Sequence, residues 1–361
     1  MQLVDWQLAA ATGTRLVPPG PKISLSDDIA TVDDLRRTAD RAGEHVAAIT
    51  GLDAASGSAT TVVVDRPDWI RANVDSFQVL ADPIINSLLE KRSMKSASLL
   101  ATGIGSRIAG VEVGVLLSYL GTRVLGQFEL LGPPRSASDN DAAAGRLTLV
   151  APNIVAAERA LRVDPSDFRL WVCLHEVTHR TQFAAAPWLH RHVQDLLREF
   201  LLASDLDAGA LLTRFGEAVR GLVGAARSRE DFSLVEMIQT PAQRAILDRL
   251  TGLMSLLEGH ADVVMDMVGP SVVPSVRTIR ERFDQRRREA GPVQRFVRRL
   301  LGVEMKLKQY AEGAAFVRAV LDEIGMAGLN QVWEAPERLP SAREIREPRL
   351  WVARVGSPPA A

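Results

Sequence analysis

His175, Glu176 and His179 lie in the segment His-Glu-Val-Thr-His, an H-E-x-x-H pattern. On a helix, residues four apart stand one turn above each other, so both imidazoles can reach a single ion. Glu176 then sits about 100° round the helix from His175, beside an open coordination position rather than on the metal. There a carboxylate can take a proton from a zinc-bound water. The chemistry offered is that of a single-zinc hydrolase of the metallopeptidase type. With six histidines in the chain, chance odds for the pattern are roughly one in a hundred or less. The competing reading is a histidine pair held by ordinary hydrogen bonds. Against it, Phe168, Trp171, Val172, Cys173, Leu174 and Val177 make this a buried helix, where polar groups need a purpose or a partner.

A third ligand must come from elsewhere. The metzincin continuation would place glycine at 182 and histidine at 185, and the chain has Gln182 and Ala185, which excludes that class. His190 and His192 follow Pro187 in a basic, polar stretch and are expected to face solvent. The stretch from Leu250 to Val268 is almost wholly apolar apart from Glu258, His260, Asp262 and Asp266. A carboxylate there is costly unless paired or metal-bound. Glu258 and Asp262, four apart, share a helix face in the spacing a gluzincin uses. The glutamate would complete the metal's ligands and the aspartate would accept the other ring N–H of a ligand histidine. His260, about 200° round from Glu258, is the alternative third ligand or a residue behind the ligands; a buried salt bridge is the plain alternative.

These side chains need a helical frame. Asp164 is a good N-cap, Pro165 suits the first helical position and Asp167 the first turn, so the histidine helix should run to about Ala185 and stop before Pro187. Thr240-Pro241-Ala242-Gln243 opens a second long helix with a capping box, ending at Gly269-Pro270. Further helices are expected over Val276–Glu289, Val293–Gly302 and Glu304–Ile324, and Ser341-Ala342-Arg343-Glu344 is one more start signal. Strands are expected over Thr61–Val64, Val124–Leu131 and Arg146–Val150, with a helix opening at Arg66-Pro67-Asp68 and loops over 51–60 and 132–145. Arg146–Val150, just ahead of the histidine helix, would be an edge strand to which an extended peptide could add. The fold class is mainly α with a small β-sheet. The chain divides into an N-terminal helical lobe with short strands (1–160), a catalytic region (161–330) and a C-terminal tail packed on the domain (331–361).

Composition narrows the function classes. A 47% apolar and 24% charged chain of 361 residues is an ordinary globular protein with ample core. A net charge of −1 gives no global pull toward nucleic acid or membrane. The single cysteine, Cys173, rules out an internal disulfide and a cysteine-based zinc cluster and fits a reducing compartment. The start Met1-Gln2-Leu3-Val4-Asp5-Trp6 lacks a signal-peptide pattern, so a cytoplasmic location is expected. Gly103 to Leu125 is apolar and glycine-rich, but Arg107 and Glu112 interrupt it and its uncharged run, Val113–Thr122, is ten residues long. That is about half of a bilayer span, and a tightly packed buried helix is expected. Between Arg277 and Lys308 there are 11 Lys/Arg against 4 Asp/Glu. This could dock an acidic protein or nucleic acid, but without aromatic interleaving a solvated helix face is favoured. A binding module using that 277–308 surface, or a non-catalytic zinc-stabilised scaffold, is the alternative to an enzyme. Oligomeric state has no signature.

The chain also resembles a zincin-like metallopeptidase family of high-GC bacteria, whose members are described as hydrolases or associated with deazaflavin coenzyme biosynthesis. The resemblance is carried by Val64–Trp69, Val124–Phe128, Leu149–Asn153, Trp171–Phe183, Leu257–Asp262, Gln309–Gly313 and the tail from Val332 through Pro340 to Trp351. It implies a zincin-like, mostly helical fold, with His175 and His179 holding Zn2+ and Glu176 as general base. It implies no particular substrate; a peptide or another amide is what the chemistry of the H-E-x-x-H site itself suggests. Tyr310, one of two tyrosines and within a shared stretch, is the candidate oxyanion stabiliser, with simple packing as its alternative.

Overall fold

The computed structural model describes residues 3–52, 61–91, 103–129, 145–203, 241–288 and 303–356. Helix α1 (Trp6–Leu16) is capped by the Asp5 carboxylate, which accepts the Leu8 N–H at 2.9 Å. Helix α2 (Leu25–Thr50) starts on Ser24 and ends at Gly51, whose φ of 64° is the left-handed stop that glycine adopts readily. Strand β1 (Thr61–Val64) leads into α3 (Arg66–Lys91), followed by α4 (Gly103–Leu120), β2 (Gly126–Glu129) and β3 (Arg146–Val150). Then come α5 (Ala151–Leu161), α6 (Pro165–Ala185), α7 (Trp188–Leu202), α8 (Pro241–Val268), α9 (Val276–Arg288) and α10 (Val303–Asn330). Two 3-10 turns, Gln331–Trp333 and Pro336–Arg338, precede the short helices α11 (Ala342–Arg346) and α12 (Pro348–Val355).

Several boundaries follow the local chemistry expected of them. Asp164 accepts the Asp167 N–H at 3.0 Å ahead of α6, and both halves of the Ser341/Glu344 capping box are formed. Helix α10 breaks at Gly325, with φ 68°, next to the expected end at Ile324. Thr240, the expected helix Val293–Gly302, and nearly all of the loops 51–60 and 132–145 lie outside the described residues.

The sheet runs β1-β3-β2, with β3 parallel to β1 and antiparallel to β2. Arg146–Val150 is therefore the central strand, not the edge strand expected from its place ahead of α6. Strand order is set by non-local pairing: the α3–α4 crossover brings β1 to one side of β3. Because side chains alternate across a strand, β3 also divides the apolar interior. Leu147 and Leu149 face the main core with residues of α2, α5, α6, α8 and α10. Val150 faces a second cluster built from Trp6, Trp69, Ile70, Val113 and Leu117 of α1, α3 and α4.

Helix α4 corrects another expectation. Its glycine face packs as expected: a Cβ at Gly110 would collide with the Asp5 carbonyl, and one at Gly114 would stand 2.6 Å from the Ala9 carbonyl. The opposite face is not buried, with Ile104 70% and Ile108 55% exposed. Small residues fix how closely two helices approach and leave open what covers the far side. By length and composition, α4 is the one helix among the described residues that could cross a membrane.

Buried polar links tie the lobe together behind the sheet. Arg66 donates to Asn153 Oδ1 at 2.7 Å and to the carbonyls of Pro18 and Pro19, while Asn153 Nδ2 donates to the carbonyls of Gly121 and Val124. Trp69 Nε1 donates to Gln127 Oε1 at 2.8 Å, and Gln127 Nε2 to Asn73. These bonds hold β2 in place beside α6.

Candidate metal centre

Helix α6 is buried along Phe168, Val172, Cys173, Leu174 and Val177, which leaves the other side of the same turns to His175 and His179. Helix α8 lies across it and presents Glu258. Where α8 meets α10, Gly259 and Gly313 bring the two backbones into contact: a Cβ on either would collide with main-chain atoms of the other helix. Glu258 is thus held next to a helix crossing in which the two backbones touch. The three donor atoms converge, with His175 Nε2 3.2 Å from His179 Nε2, and Glu258 Oε2 3.6 Å and 3.7 Å from them in turn. Bonds of about 2.0–2.2 Å to a tetrahedral ion would set donor atoms roughly 3.3–3.6 Å apart. Two imidazoles and a carboxylate at this spacing can hold a metal ion. His175, at 31% exposed, is the most open of the three side chains, so the centre opens on its side.

Glu176 points elsewhere on the helix, into the space left by Gly126 at the start of β2. A Cβ at 126 would lie 2.6 Å from Glu176 Cγ. Burial pushes the Glu176 carboxyl up to about 7; the nearby His179 opposes this and Glu258 adds to it. For His179, burial acts downward, but the adjoining Glu258 carboxylate outweighs it and raises the imidazole to about 9 before any metal displaces the proton. A carboxylate that titrates near neutrality beside two histidines and a further carboxylate suits proton transfer.

The chain matches the zincin-like metallopeptidase family over residues 4–352. It belongs to that family. A crystal structure of a protein from Chloroflexus aurantiacus, described as a candidate hydrolase with a novel fold, is similar at 31% identity and a TM-score of 0.70. The alignment covers 98% of this chain and 99% of that one. No curated protein matches.

Within this zincin-like chain, the residues expected at the centre separate into two groups. His175, His179 and Glu258 come together, with Glu176 alongside. Asp262 does not join them: it accepts from Arg280 Nη1 at 3.0 Å, on the α9 side of α8. The place expected for it, at the outer nitrogen of a ligand histidine, is taken at His179 by Gln182, whose Oε1 is 2.9 Å from Nδ1. Gln182 was legible only as a residue that breaks the metzincin pattern, although an amide three residues past His179, on the same helix face, could have signalled it. His260 lies outside this cluster. It is fully buried, with Nδ1 3.0 Å from Gln182 Nε2 and its ring against Trp333 at 5.4 Å.

His190 also departs from expectation. Instead of facing solvent, its ring packs on Phe183 at 5.2 Å and Phe128 at 5.9 Å, and burial lowers its pKa. His192 is half-buried, edge-on to Trp188. Tyr310 lies on α10, and its side chain is outside the described residues. Of the basic 277–308 stretch, Arg280 is engaged by Asp262 and Asp266, and Arg282 by the carbonyls of Leu161 and Arg162. Residues 289–302 are outside the described part.

Proposed function

We propose that this chain is a zinc-dependent hydrolase that cleaves peptide or other amide bonds. The observation that carries the reading is the convergence of His175, His179 and Glu258 donor atoms within 3.2–3.7 Å of one another, beside a buried carboxylate. A bound zinc ion would bring the pKa of a water toward neutrality and polarise the scissile carbonyl. His175, His179 and Glu258 would hold the ion and leave one position open toward His175. Glu176, poised near 7, takes the proton from the attacking water and passes it to the leaving amine. Strand β2, paired on one side to β3 and adjoining Glu176, replaces Arg146–Val150 as the strand on which an extended substrate could lie. Tyr310 stays the candidate for stabilising the oxyanion. The single, buried Cys173 accords with a reducing, cytoplasmic setting.

Metal analysis beside peptide digestion tests this. Wild type and Glu176→Gln should each carry about one zinc per chain, Glu258→Ala should lose it, and only the wild type should cleave a peptide mixture. Wild type without zinc would overturn the reading. Equal cleavage by Glu176→Gln would point instead to a zinc-stabilised scaffold with hydrolysis from a contaminant.

A further inference from the structure

We propose that Gln182 and His260 form a positioning relay that fixes which nitrogen of His179 faces the metal, an inference that rests on the metal reading above. The Gln182 side chain is fully buried between α6 and α8, and its Nε2 lies 2.8 Å from the Leu257 carbonyl. A carbonyl only accepts, so the amide nitrogen must be the atom facing it. The amide oxygen is thereby turned to His179 Nδ1, 2.9 Å away. That oxygen also only accepts, so His179 keeps a proton on Nδ1, and it is Nε2, facing the space shared with His175 and Glu258, that would give up its proton to offer a lone pair to an ion.

The second amide hydrogen of Gln182 has its own acceptor. Nε2 is 3.0 Å from His260 Nδ1, and since the amide nitrogen donates, that ring nitrogen must be bare. The His260 proton is then on Nε2, a buried atom with no hydrogen-bond partner among the described residues. Both donors of the amide are engaged, one by Leu257 and one by His260, so the amide can neither flip nor rotate without losing a buried bond. Helix α8 therefore supplies one prospective ligand, Glu258, and from the flanking residues 257 and 260 the two anchors that orient another ligand on α6. A neutral amide on His179 Nδ1, where a carboxylate would push electron density into the ring, would make the histidine a weaker donor and leave a bound ion a stronger Lewis acid.

The test uses the full chain, with zinc affinity measured by competition against a chelator and unfolding of the zinc-free protein measured in parallel. Gln182→Leu and His260→Phe should lose roughly 10–100-fold in zinc affinity. His260→Asn, whose Oδ1 can stand where Nδ1 stood, should recover most of it. In wild type, long-range proton–nitrogen spectra of the imidazoles should place the His260 proton on Nε2 with and without zinc, and the His179 proton on Nδ1 in the zinc form. If His260→Phe does not fold, the spectra decide alone. On a zinc-binding wild type, a His260 proton on Nδ1, or unchanged affinity in both Gln182→Leu and His260→Phe, overturns the relay alone. A wild type that takes up no zinc overturns the metal reading and the relay with it.

Discussion

Gly126 lies against Glu176 so closely that a Cβ at 126 would stand 2.6 Å from Cγ, 2.7 Å from Cδ and 2.9 Å from Oε1 of the glutamate. The backbone of β2 therefore forms one wall of the seat of the Glu176 carboxylate. Gly126→Ala should leave the fold and zinc content unchanged, because the clash is with a side chain rather than with main chain. It should lower turnover by about 100-fold, the scale of a displacement of roughly 1 Å in a reacting group. Rates on a peptide cleaved by the wild type measure this. Wild-type turnover in Gly126→Ala would mean that Glu176 does not act from this seat.

The α8–α10 crossing makes a different demand. A Cβ at Gly313 would collide with the carbonyl of Ser255, a backbone atom that cannot swing aside. Gly313→Ala should therefore cost about 1–3 kcal/mol of stability, as overpacking does, and also weaken zinc binding by shifting Glu258. Denaturant unfolding and metal content are the measurements. A destabilised variant that keeps wild-type zinc affinity would separate the crossing from the placement of Glu258.

A zinc ion held as proposed would have to displace a proton from His179, whose pKa is raised to about 9, an effect of the Glu258 carboxylate overcoming burial. The proton competes below that value, so zinc affinity should rise with pH by about tenfold per unit from pH 7 toward 9 and level off above it. The same shift contributes stability to the metal-free protein below pH 6.5, which is lost as pH rises through 9. Chelator competition across pH 6.5–9.5 reads the slope, and an affinity flat over that range would show that His179 does not have to be deprotonated.

Asp262 pairs with Arg280 at side-chain exposures of 36% and 30%, a partly solvated ion pair worth at most about 1 kcal/mol. Asp262→Asn should therefore cost less than about 1 kcal/mol and leave zinc content untouched, whereas Glu258→Gln should lose a marked share of it. Zinc loss in Asp262→Asn would restore the role first expected of that residue.

Much of the centre was legible because it rests on short-range rules. A four-residue spacing on a helix places His175 and His179 together, and Asp164 with Pro165 fixes where that helix begins. Glu258 stood out because a carboxylate in an apolar helix needs a reason. What was not legible depends on which elements become neighbours. Asp262 turns to Arg280 because α9 lies on that side of α8, leaving the His179 nitrogen to Gln182. His190 is enclosed by Phe128 and Phe183, one of them from a strand distant in sequence. Likewise, local alternation marks Arg146–Val150 as a strand but carries nothing about what pairs on either side of it.

Strand β3 finally acts as a gauge for the whole molecule. Gly126 stands opposite Leu149 in its ladder, so the register that sends Leu147 and Leu149 to one core and Val150 to the other also delivers a residue without a side chain to Glu176. A slip of one residue reverses every side chain. It would misfile both cores at once and bring Gln127 to the place against Glu176 that Gly126 holds. A chain that has paired β3 wrongly would thus lose its packing together with the Gly126–Glu176 contact, so the two cannot fail separately.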